Sequence, residues 1–100
     1  MTGFPTIICL CGSTRFPEAF INAQKEETLK GKIVLSVGLF GHQENIDMNG
    51  PIKKMLDELH LKKIELADEV LILNVNGYIG ESTKKELHYA ISLNKQIIFL

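Results

Sequence analysis

Four short apolar runs separated by three helix-length amphipathic segments constrain this chain more than any other feature. Thr6 to Cys11 (TIICLC), Lys32 to Val37 (KIVLSV), Glu69 to Val75 (EVLILNV) and Gln96 to Leu100 (QIIFL) read as strands. The first is continuously apolar, as expected of a strand covered on both faces of a parallel sheet. Between them, Phe16, Ala19, Phe20, Ala23 and Glu27 recur at helical spacing, and Pro17 and Gly31 bracket that helix. A second helix is predicted from Ile52 to Ala67, with Ile52, Met55, Leu56, Leu59, Ile64 and Ala67 as its apolar stripe. A third runs from Thr83 to Leu93.

Strand and helix in strict alternation predict an α/β fold. The expected form is a three-layer Rossmann-like (flavodoxin-like) sandwich with a parallel sheet of four or five strands. Right-handed crossovers put helices on both faces. An order of 2-1-3-4 puts the switch point between strands one and three. Ligands of such folds sit beyond the carboxyl ends of the strands, where the loops after Cys11, Val37 and Val75 should meet. The last strand is expected to need a helix or a partner chain over its edge.

At 100 residues there is room for one domain, spanning 1–100. A net charge of −1 gives a nucleic acid polymer no electrostatic reason to bind. No run approaches the roughly 20 apolar residues of a membrane helix, so no membrane partner is expected. Cys9 and Cys11 stand two apart, poor geometry for a disulfide, and read as reduced buried thiols of a cytoplasmic protein. No further Cys or His cluster stands at ligand spacing, so neither a metal nor another cofactor is expected.

Two segments carry candidate chemistry. Gly12, Ser13, Thr14 and Arg15 lie between a buried strand and a helix start. Backbone N–H groups, two hydroxyls and a guanidinium there suit an anion. The alternative is a plain cap, with Ser13 or Thr14 as N-cap. The turn is neither G-x-G-x-x-G nor the NTPase loop, so a triphosphate cradle is not expected. In the second segment, Thr83 and Glu86 have capping-box spacing. The other role for Glu86 is a nucleophile facing the ligand crevice. His60, four residues from Leu56 and from Ile64, reads as a packed histidine or a general acid. His42, in the long second loop, and His88 read as solvated, and Tyr78 as a base-stacking or loop-packing ring.

Cys-Gly-Ser-Thr-Arg (11–15), Leu-Ala-Asp-Glu-Val (66–70) and Lys-Glu-Leu-His-Tyr-Ala (85–90) before Ile-Ile-Phe-Leu resemble the nucleoside 2-deoxyribosyltransferase family. They are most similar to its 2'-deoxynucleoside 5'-monophosphate N-glycosidase branch. The resemblance runs from Ile7 to Leu100. It implies cleavage or transfer of the bond between a nucleobase and C1', through a glutamyl glycosyl-enzyme intermediate. Glu86 takes the place of that glutamate. Gly12, Ser13 and Arg15 take the phosphate-holding positions, and Asp68 matches an aspartate at the third strand's entry. Where the glycosidases have a first-strand tyrosine, a second-helix aspartate and a third-loop serine, this chain has Cys9, His60 and Gly80, with Ser82 close by. The resemblance further implies a small-molecule nucleoside or nucleotide as partner, and a homodimer or higher homo-oligomer. The departures leave a non-catalytic nucleotide-binding or sensor module on the same fold as the alternative.

Overall fold

The computed structural model of the protein describes residues 3–40, 45–47 and 49–100. Its elements follow the order β1 (Ile7–Gly12), α1 (Pro17–Leu29), β2 (Ile33–Leu35), α2 (Pro51–Leu66), β3 (Glu69–Leu73), a 3₁₀ turn (Val75–Gly77), α3 (Glu81–Ser92) and β4 (Gln96–Phe99). The four strands form an all-parallel sheet in the order β2-β1-β3-β4. The expected α/β sandwich and strand order are both present.

The alternation of side chains along β1 sorts the core into two layers. Ile8 and Leu10 face α1 and pack with Phe20, Ala23, Leu71 and Leu73. Cys9 and Cys11 face the other way and pack with Ile64, Ala67, Val70, Ile72 and Ala90. The sheet thus has α1 on one face and α2 with α3 on the other. The four central residues of β1, Ile8 to Cys11, are fully buried, which is why β1 reads as one continuous apolar run.

At the amino-terminal end of the sheet, polar side chains tie the elements together. Lys32 Nζ donates to Glu27 Oε1 at 3.0 Å and to Glu69 Oε1 at 2.8 Å, so α1 and β3 share one cation. Lys30 and Lys32 hold the Glu27 carboxyl below its ordinary range. The Ile7 amide donates to Asp68 Oδ2 at 2.9 Å.

Several boundaries differ from expectation. Strand β2 is three residues long, and β3 ends at Leu73, before a turn in which Asn76 and Gly77 have positive φ. Helix α3 begins at Glu81, two residues before the predicted start, with Gly80 as N-cap and no side-chain cap. Thr83 and Glu86 therefore lie inside the helix and form no capping box. Helix α1 begins at Pro17 after Phe16, and neither Ser13 nor Thr14 caps it.

Only part of the predicted α2 stripe is buried. His60 and Ile64 face the core, with Ala67 just after the helix. Ile52, Met55 and Leu59 remain 44 to 50% exposed. Burial along α2 is confined to its second half, at His60 and Ile64, while Lys53, Leu56 and Asp57 of its first half wall a hollow.

Candidate functional site

The hollow lies where β1 and β3 end, at the switch point of the sheet, and encloses about 450 Å³. Small-ligand sites commonly have about this size. Its walls come from four places: the turn after β1 (Gly12, Ser13, Thr14, Arg15), the loop after β2 (Val37, Gly38, Leu39), one side of α2 (Lys53, Asp57, His60, Lys63), and the start of α3. Glu86 lines the same space from the second turn of α3. The anion-type turn and the carboxylate thus share one hollow.

The turn is compact. The Phe16 amide donates to the Ser13 carbonyl at 3.1 Å, and the Arg15 amide to Ser13 Oγ at 3.3 Å. Gly12 is closely packed: a Cβ there would lie 3.0 Å from Leu73 Cβ and 3.3 Å from the Leu73 carbonyl oxygen, so a larger residue would push on β3. The Arg15 guanidinium lies over the Tyr78 ring, 4.9 Å from its centroid, and Phe16 meets the same ring edge-on at 6.0 Å. Tyr78 therefore holds Arg15 at the rim by a cation–π contact. Opposite, the first turn of α3 brings Glu81, Ser82 and Thr83 to the wall with no side-chain cap on their N–H groups. The start of α3 thus presents backbone N–H groups to the hollow, beside the Glu81 carboxylate.

The floor is more polar than a Rossmann-like core requires. His60 Nε2 stands 3.4 Å from Cys11 Sγ and 3.7 Å from Cys9 Sγ. The hydrogen bond from Cys11 stabilises the Cys9 thiolate, with help from His60, and lowers the Cys9 thiol to about 6. Cys11, as donor in that pair, is pushed the other way. Burial pushes the Glu86 carboxyl up to about 7, against the opposing charge of His60. For His60, burial favours the neutral ring, but the Cys9 bond and the Glu86 charge outweigh it and raise its basicity.

The expected site residues divide as follows. Gly12, Ser13, Arg15, His60, Gly80, Ser82 and Glu86 all line the hollow. Asp68 does not: it lies at the opposite end of the sheet, accepting the Ile7 amide. His88 is exposed, as expected, and His42 lies outside the described residues.

Lys53, Asp57 and Lys63 line the hollow but were not singled out in the sequence. Lys53 Nζ donates to Asp57 Oδ2 at 2.7 Å, and Lys63 Nζ to the Ser36 carbonyl at 2.7 Å. Their spacing gave a signal: 53, 57, 60 and 63 share one helical face with His60. The cysteine–histidine cluster was missed because 51 residues separate Cys9 from His60.

No protein-family model matches the chain, and no curated protein matches it significantly. Among the described residues, no helix is long and apolar enough to cross a membrane.

Proposed function

We propose that this chain cleaves or transfers the N-glycosidic bond of a (deoxy)nucleoside or its 5'-monophosphate. The observation that carries the reading is the shared hollow, with Gly12 to Arg15 on one wall and Glu86 on another. The turn and the uncapped start of α3 receive the phosphate, and Arg15 supplies the charge. A Glu86 carboxylate oxygen attacks C1' as the bond from C1' to the base nitrogen breaks. The base leaves with a proton from His60 on α2. Water, or the nitrogen of a second base, then attacks C1', gives its proton back to the same group on α2, and frees Glu86 as the C1'–Oε bond breaks. The resemblance in residues 11–15, 66–70 and 85–90 supports this order of events.

A homodimer or larger assembly fits the same reading, because the half-exposed Ile52, Met55 and Leu59 lie on the helix that walls the hollow. A second reading, nucleotide binding without turnover, is favoured by Cys9. It takes the place of the glycosidase tyrosine, yet is fully buried and does not line the hollow. Incubation with a panel of deoxynucleoside 5'-monophosphates separates the two. Free base is expected; saturable binding with no base across the panel would transfer the assignment to the second reading.

Arg15→Ala is expected to weaken nucleoside monophosphates about 10- to 100-fold, the worth of a charge-assisted hydrogen bond. The bare nucleosides should change by less than about threefold. Calorimetric titration of matched pairs checks this; equal losses for both would remove Arg15 from the phosphate.

A further inference from the structure

We propose that Cys9 Sγ, Cys11 Sγ and His60 Nε2 form a binding site for one thiophilic divalent cation, zinc above all, under the floor of the hollow. The three ligand atoms all lie within 4.8 Å of one another. Zinc holds sulfur at about 2.3 Å and imidazole nitrogen at about 2.0–2.1 Å, so a tetrahedral site has N···S edges of about 3.6 Å and an S···S edge of about 3.8 Å. The observed N···S separations of 3.4 and 3.7 Å bracket that edge. The two N···S edges are thus already close to those of a bound ion.

The supporting elements are rigid. Both sulfurs project from the central strand β1 toward α2, and the ring comes from the part of α2 that packs on the sheet. Cys9 and Cys11 are fully buried and His60 is 6% exposed. Charge selects the ion: two thiolates and a neutral imidazole cancel a divalent cation, whereas copper(I) would leave a net negative charge in the core. On binding, the two thiols release their protons to solvent. A water completes the tetrahedron at the fourth position. With Nε2 on the ion, His60 holds the metal instead of handing a proton to a leaving base.

The inference stands apart from the glycosidase reading, since metal content is measured without any nucleotide. Metal analysis of the protein purified without chelator should find about one zinc per chain. After stripping, cobalt(II) should add to one equivalent, with a thiolate-to-cobalt charge-transfer band and the intense visible bands of a tetrahedral site. Cys9→Ser and Cys11→Ser should each lower affinity at least about 100-fold and weaken the charge-transfer band. The exposed-surface control His88→Ala should bind like the unaltered protein. Absence of thiolate–cobalt bands in the unaltered protein overturns the proposal whatever the variants do. So does metal binding undiminished in the double cysteine variant.

Discussion

Glu86→Gln should reduce release of free base by on the order of 10⁴-fold or more, the scale of losing a catalytic nucleophile. The amide keeps the size of the side chain and much of its hydrogen bonding but cannot form the glycosyl ester. Nucleotide affinity should stay within a few-fold, because the proposed phosphate site is the Gly12–Arg15 turn on another wall of the hollow. The variant should be as stable as the unaltered chain or more so. The carboxylate is held in a desolvating site that burial makes unfavourable for charge, and such sites cost stability. Single-turnover assays, titration and denaturant unfolding separate the three expectations. Base release within tenfold of the unaltered protein would remove Glu86 from the nucleophile's place.

Phe20→Ala should cost about 3–5 kcal/mol of folding stability, the range for deleting a buried aromatic ring. Phe20 is 1% exposed, anchors α1 in the layer formed by Ile8, Leu10, Leu71 and Leu73, and meets Phe40 edge-on at 5.6 Å. Its ring also reaches Gly12: Phe20 Cζ lies 3.4 Å from where a Cβ on Gly12 would stand. The turn after β1 is thus braced from below by this ring. A loss of this size is a large fraction of a small domain's total. The denaturant midpoint should fall with little change in slope. A loss below about 1 kcal/mol would mean that α1 is held to the sheet by other contacts.

Much of the fold was legible because local and tertiary preferences agree. Ile8 to Cys11 is apolar without interruption, since helices cover both faces of β1. Phe20, Ala23 and Glu27 recur at helical spacing and all three are buried, Glu27 with Lys30 and Lys32 on its carboxylate. The errors arose where tertiary geometry decides. Thr83 and Glu86 satisfy the capping-box spacing, but α3 starts earlier, at Glu81 after the N-cap Gly80, and both lie inside it. Ile52, Met55 and Leu59 have the period of a buried stripe, but of α2 only His60 and Ile64 are buried.

The site was legible in part for the same reason. The Gly12–Arg15 turn is a local feature, with glycine, hydroxyls and charge in one stretch. Its meeting with Glu86 followed from strand order alone. Asp68 illustrates the opposite case: its place at a strand entry is local, but that entry lies at the far end of the sheet from the hollow. The approach of His60 to Cys9 and Cys11 joins α2 to β1, and spacing along the chain carries no trace of it.

The most direct test is a crystal structure of the Glu86→Gln variant with a deoxynucleoside 5'-monophosphate bound. The expected complex has the phosphate against Gly12 to Arg15 and the start of α3. Its C1' should lie within about 3.5 Å of the residue-86 side chain, a near-attack distance. A nucleotide bound with its phosphate away from that turn, or with C1' beyond reach of residue 86, would contradict the account.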